Sequence, residues 1–524
     1  MVPFTSLGVC TSDRGDDKIN KRNLKNIYGV ILTFLIIFTN LTLSECENEQ
    51  ISVKWEKDID STVKLIEISE DGNYIALGSN NQIYLFTNNG KLLWSFTEPS
   101  GGIELNSIAL TSDCSYLVAG FGRKSAPQSF AECKVSIPNT SRAYLFDKSG
   151  KIVWQYDSKN SIDSVTISPK GNFVLIGTGL EEGKAIILDK ERKVISEYSL
   201  SSVNSFPQII SPDGDEVVIF NYSLFDPCPF YLNIGKPPSQ NLYIIKTDKT
   251  EIFKNSYGIL LDENIIANSI SRNKSFSSLA VGGLKIILNN YNYPVNEQGF
   301  VSFLWRTKTR NNAQPFDLDK SWSFNPTSVV ESVCLSNEGD ILVAGTSGYW
   351  KRSEKSIPQK WINDGAVYVF KTNESGKLYW SYKTINPVNS VSISSDNNYI
   401  LAGSNGAYLF DRYGDLIWKS EENDYAIAKF LNTADSFAYT TKTKIICCKI
   451  NYSTTKTKEL PVEVEKLEEQ NTAMNLTNMD TTEKEIVINE TKKTQETKNT
   501  PGFELPAIIG GSLLAAYILN KRRG

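Results

Sequence analysis

The chain contains no histidine in its 524 residues. That removes the commonest general base and the commonest transition-metal ligand. Ser-His-Asp and Cys-His catalysis and His-ligated zinc are excluded outright. Cysteines and carboxylates remain as reactive groups. The spacing of the eight cysteines fits no zinc pattern, and removal of a leader ending at residue 44 would leave an odd seven. Cys447 and Cys448 are adjacent. Neighbours on a strand point to opposite faces, so two unlinked thiols are expected there rather than a vicinal disulfide. Glu67, Asp163 and Glu331 lie near the expected inner strands without a spacing that assigns them to a cluster, and no D-x-D-x-D-G calcium loop is present. No metal site and no cofactor is expected from these groups. The net charge of −4 gives no electrostatic case for nucleic acid.

Whatever these residues do, a repeat positions them. Its clearest copy is VNSVSISSDNNYILAGSNGAYLFDRYGDLIWKS, residues 388–420. It reads as four short strands broken by Gly, Asn, Asp and Ser. The first turn recurs as SEDGNY from Ser69, TSDCSY from Thr111, SPKGNF from Ser168 and SPDGDE from Ser211. It returns as SRNKSF from Ser271, SNEGDI from Ser336, SSDNNY from Ser394 and NTADSF from Asn432. The last turn recurs as FTNNGKLLW, FDKSGKIVW, TNESGKLYW and FDRYGDLIW, ending at Trp94, Trp154, Trp380 and Trp418. Periodic turns and aromatics of this kind mark an all-β fold, a β-propeller of four-stranded blades.

Eight first turns predict eight blades, with seven as the alternative because the fourth and fifth copies are degraded. The last copy, residues 425–452, supplies only three strands. ISVKWEKDI, residues 51–59, is expected to be its missing outer strand, with Trp55 in the place of the other blades' tryptophan. Such pairing closes the ring and removes a sheet edge. YLFDKSGKIVWQY resembles the repeat of quinoprotein-like (PQQ-type) and WD40-like propellers. That resemblance covers roughly residues 51–452 and implies a fold more than an activity.

Four long insertions fall between the second and third strands of their blades: residues 121–141, 221–240, 289–298 and 347–364. A fifth, residues 307–319, falls elsewhere. Connections between second and third strands emerge on one face of a propeller. They carry Phe121, Phe130, Phe225, Phe230, Tyr231, Tyr291, Tyr293, Tyr349, Trp350 and Trp361. Of these, Phe130, Phe230, Tyr231, Tyr291, Tyr293, Tyr349, Trp350 and Trp361 are the candidate binding residues, since aromatic loops over a rigid scaffold make binding surfaces. Cys133 and Cys228 lie in the same loops. The glycosylation candidates are Asn139, Asn221, Asn273, Asn373, Asn451, Asn475 and Asn489, each opening an N-x-S/T triplet in an expected turn, loop or stalk.

The ends set the expected location. Lys18, Lys21, Arg22 and Lys25 precede an apolar run at residues 29–43, and Thr42 and Ser44 are small residues placed for cleavage. Residues 1–44 therefore read as a signal peptide, with a retained N-terminal anchor as the alternative. Residues 45–452 are the propeller. Residues 453–500, rich in Thr, Lys, Glu and Asn, have no means of forming a core and read as a disordered stalk. Residues 501–524 hold an apolar run, 505–519, followed by Lys521, Arg522 and Arg523. As a helix the run covers about 22 Å, a short span beside a bilayer core of roughly 30 Å.

The tail resembles the archaeal PGF-CTERM sorting signal. Pro501, Gly502 and Phe503 form the tripeptide, followed by the apolar segment and the basic end. The resemblance implies an archaeosortase that removes the tail and attaches the new C-terminus to a membrane lipid. The resulting expectation is a surface-anchored, exported glycoprotein of the cell membrane, with the propeller outside. It would bind an envelope protein or a glycan through its loop face and would not be an enzyme. The alternatives are an architectural envelope protein without a specific ligand, or a PQQ-dependent oxidoreductase.

Overall fold

The computed structural model describes residues 50–123, 140–179, 183–199, 204–222, 240–246, 252–255, 265–288, 294–306, 316–351, 360–374 and 376–451. The expected signal peptide, the stalk and the sorting tail with Pro501, Gly502 and Phe503 lie outside these residues. Among the described residues no helix is long and apolar enough to cross a membrane.

The described strands form eight antiparallel sheets of four strands. Seven are continuous in sequence. The eighth joins Ala428–Phe430, Ser436–Thr440 and Lys444–Asn451 to the N-terminal strand Gln50–Asp58. The first strand of each sheet lies against the first strand of the next, from Val63–Ile68 through to Ala428–Phe430 and back to Val63–Ile68. These inner strands ring an axis, and the fold is a β-propeller.

Each sheet alternates apolar residues on both faces because both faces are covered by neighbouring sheets. Separate clusters fill the spaces between sheets. One packs Ala76 and Leu85 of the first sheet on Leu105, Phe121 and Phe146 of the second. Phe121, placed in a loop by the sequence reading, belongs to the strand Tyr116–Arg123 and is fully buried. The closing interface is built alike, with Ile75 and Leu77 against Ala438, Ile445 and Cys447. Cys448 points the other way, among Leu401, Leu409 and Phe430. The adjacent thiols are unlinked, as strand geometry requires. Burial pushes Cys447 up to about 11 and Cys448 up to about 12, so both stay protonated at neutral pH.

The two recurrent turns do different work. In the first turn a hydroxyl substitutes for backbone pairing. Ser394 Oγ accepts the Tyr399 N–H at 2.9 Å and donates to Asp396 at 2.6 Å. In the last turn the tryptophan ties its own blade to the next. Trp94 Nε1 donates to Lys148 O, Trp154 to Lys190 O and Trp380 to Arg412 O, at 3.0–3.2 Å. Trp55 repeats the contact on Asn88 O at 2.8 Å, which places the N-terminal strand as a working outer strand. Gly90, Gly150 and Gly414 face Trp55, Trp94 and Trp380 with no room for a side chain, while the turn against Trp154 carries Arg192 at φ 70° instead. At Gly414, φ is +98° and an added Cβ would stand 2.8 Å from the Trp380 ring.

Two registers differ from the sequence reading. The fifth first turn starts at Asn273, not Ser271, since Asn273 N–H bonds Ser278 O and Phe276, at φ 57°, takes the glycine position. The eighth starts at Leu431 rather than Asn432.

Candidate functional site

The two faces of the ring differ. Strand order sets the second-to-third connections and the links between blades on one face, and both kinds of tight turn on the other. All four predicted insertions are second-to-third connections. In the fifth and sixth sheets they begin as hairpins that extend the sheet. Leu284 to Leu288 pair with Gly299 to Pro294, and Gly348 to Lys351 pair with Asn363 to Lys360. Tyr349 stands on this hairpin opposite Ile362 and is half-buried. Trp350 and Trp361 are directly opposed across the same pair of strands. The register therefore pairs Trp350 with Trp361 and sets Tyr349 at the neighbouring position, which belongs to the other face of the hairpin. Phe130, Phe230, Tyr231, Tyr291 and Tyr293 lie outside the described residues.

The base of the insertion face is polar and ion-paired. Arg142 donates to Glu98 at 2.7 Å and to Asp157 at 3.1 Å, and the Glu98 side chain is fully buried. Tyr144 Oη also donates to Glu98. Asp364 accepts from Ser328 at 2.7 Å and from Lys383. Such networks fix where the hairpins leave the scaffold.

Three glycosylation candidates have described side chains. Asn373 is exposed in the short turn Thr372–Glu374, and Asn451 is exposed beside Ser52. Asn273 is corrected: it is 2 % exposed and its amide is spent inside the first turn. Its nitrogen donates to Ser275 and Ser277, and its oxygen accepts the N–H groups of Ser277 and Ser278. That nitrogen is not presented for modification. Asn221 lies within the strand Glu216–Tyr222, while Asn139, Asn475 and Asn489 fall outside the described residues.

Around the axis the carboxylates are dispersed. Glu67 pairs with Lys429 at 2.7 Å across the closing interface. Asp163 and Glu331 are buried and accept from Ser161 at 2.7 Å and from Ser347 at 2.8 Å. Among the described residues, no three metal-ligating side chains converge.

What the sequence reading missed is a second ring of chemistry in the inner strands. LNSIAL, ANSISR and VNSVSI share an Asn-Ser pair at a β-bulge or strand start. Asn106, Asn268 and Asn389 donate to carbonyls of the next blade, Ile162, Val330 and Ala426, at 2.8–3.2 Å. The following serines take neighbouring backbone N–H groups. Ser107 accepts from Val165, Ser269 from Val333 and Ser390 from Ala428. Inner strands have no ladder partner on the axial side, and these side chains supply one.

The comparisons agree with this geometry. Residues 376–408 match the family model "WD domain, G-beta repeat", covering the outer strand of the sixth sheet and the first strands of the seventh. Compared by sequence, no curated protein matches the chain. Among solved structures, the Dos1 propeller matches with a TM-score of 0.53 at 11% identity, over 76% of this chain and 96% of that one. The C-terminal WD40 domain of Sif2 gives 0.48 at 13% identity, over 76% and 99%. The β-propeller domain of Myceliophteria thermophila Cps50 (Swd1) gives 0.41 at 10% identity, over 76% and 100%. At 11% identity the likeness to the Dos1 propeller is one of fold. The chain is a β-propeller in which residues 376–408 match a WD40 repeat.

Proposed function

We propose that this protein is an interaction scaffold, held at the cell surface by its C-terminus, that binds an envelope protein or a glycan through its insertion face. The observation that carries the reading is one-sidedness. Four second-to-third connections are lengthened, while both described chain ends, Gln50 and Asn451, leave from the turn side of the eighth sheet. A tether leaving there does not obstruct the opposite face. The PGF-CTERM-like tail supplies the tether in this reading, with an archaeosortase as its processing partner. No chemistry is assigned to the axis, because the axial carboxylates are already spoken for by Lys429, Ser161 and Ser347.

The test is capture from a cell envelope by the intact chain and by a variant shortened between Gly348 and Asn363. Both should show the same unfolding midpoint, because the hairpin extends beyond the sheet core. A partner retained by the first and lost by the second supports the reading. Equal capture by both, or capture by neither, removes it.

A further inference from the structure

At the turn end of the axis lies a cavity of about 190 Å³. Ile68, Leu110, Ile167 and Ile210, the last residues of the first four inner strands, supply its apolar part beside a larger polar surface. Glu70, Ser112 and Arg272 stand on its polar side.

Arg272 breaks the repeat. It occupies the residue just before the first turn, where the other seven blades place Ile68, Leu110, Ile167, Ile210, Leu335, Ile393 and Phe430. It reaches Glu70, which belongs to the turn of the first sheet, four sheets around the ring. The side chain is only 17 % exposed. Its two donor contacts are long, 3.4 Å to Glu70 Oε1 and 3.3 Å to Asn273 O. Charge-assisted bonds of a satisfied guanidinium run about 2.7–2.9 Å. Arg142 meets that standard on Glu98, at 2.7 Å. Removal from water also lowers the pKa of Arg272, with Glu70 opposing that shift. Glu70 itself is 57 % exposed and accepts from Ser112, so it has another partner and a path to solvent. Of the other acids near it, Glu67 is held by Lys429 at 2.7 Å, and Asp213, which also attracts Arg272, accepts from Ser211.

We propose that this cavity binds a small organic carboxylate with a short apolar body. The carboxylate takes the planar fork of Arg272 in place of Glu70, and the apolar body rests on Ile68, Leu110, Ile167 and Ile210. Glu70 then acts as a resident competitor that leaves when the ligand enters. The site is on the face opposite the insertions, so it stands or falls independently of the scaffold function.

The experiment is calorimetric titration of the full chain with isovalerate and with its neutral isostere isovaleramide. Saturable binding of isovalerate alone is expected. Arg272→Gln should weaken it about ten- to hundredfold, as loss of a charged hydrogen-bonding partner does. Glu70→Gln should tighten it several-fold by removing the competitor, and this variant carries the test should Arg272→Gln not fold. A tetrapeptide ending in valine, with free or amidated terminus, distinguishes the source. Binding of the free-terminus peptide at least as tightly as isovalerate points to a chain end, and binding of isovalerate alone points to a free acid. No saturable binding of isovalerate or the peptide, equal binding of the amide, an unchanged affinity in folded Arg272→Gln, or a weaker one in Glu70→Gln overturns the proposal.

Discussion

A serine hydroxyl at an inner strand does two jobs that an alanine cannot. Ser390 Oγ accepts the Ala428 N–H at 2.8 Å and donates to Ala428 O at 3.3 Å. Both residues are buried, so removing the hydroxyl strands two backbone groups away from water. Ser390→Ala should therefore cost about 1–3 kcal/mol, the range for orphaning a buried polar group. The check is the midpoint of urea unfolding, and an unchanged midpoint would show that water replaces the hydroxyl. The Asn-Ser pair was present in the sequence in plain form, in LNSIAL, ANSISR and VNSVSI. Asn and Ser are neutral and common in turns, so nothing in the pair's residue types distinguishes an inter-blade contact from turn chemistry. Asp163 and Glu331 stand in the same column as Asn106, Asn268 and Asn389 but accept from serines of their own sheets, Ser161 and Ser347.

The elements themselves were legible wherever turn chemistry is local. Ser-x-Asp-Gly turns and Trp after Gly-Lys need only the residues within one hairpin, so periodicity exposes them. The closing strand was legible through a deficit, a last repeat with three strands and a Trp55 with no blade. Register failed at the fifth turn for a physical reason. Ser271 bonds the Leu335 N–H of the next blade and so resembles a turn serine, while Asn273 does the turn's work with an amide.

The tryptophans give the element-scale prediction. Trp55→Ala and Trp380→Ala each remove a half-buried ring and one hydrogen bond to the neighbouring turn. Each should cost about 2–3 kcal/mol, somewhat below a fully buried aromatic truncation. They should differ in what opens. Trp380 sits on a strand joined covalently by a turn to its sheet, whereas Gln50–Asp58 is held to the eighth sheet without one. Amide hydrogen exchange should accelerate across residues 50–58 in Trp55→Ala and stay slow there in Trp380→Ala. Identical exchange in both variants would mean that the ring is not held through this ring-on-turn contact.

At the scale of the whole molecule, a closed ring makes small terms collective. Turn aspartates recur around it with their pKa values lowered. Asp113 is lowered chiefly by the Ser115 hydroxyl and N–H, Asp213 by Ser211, and Asp147 by Ser149. At Asp71 burial pushes upward, and bonds from Ser69 and Asn73 outweigh it. A lowered native pKa means that the folded state binds the proton more weakly than the unfolded chain. The resulting stability is present above the ordinary aspartate pKa and is lost as pH falls through the native values. The urea midpoint should therefore hold steady from pH 7 to 5 and fall from about pH 4 downward. Replacing these four aspartates by asparagine removes their protonation step while keeping an acceptor oxygen. That variant should start less stable at pH 7 and show a shallower acid limb. Equal acid limbs in the two proteins would assign acid sensitivity to other carboxylates. Because the sheets close on one another, the loss should appear as one transition rather than as a sequence of blades unfolding in turn. Separate transitions at low pH, followed by hydrogen exchange sheet by sheet, would show instead that the closing strand releases first and the remaining sheets survive it.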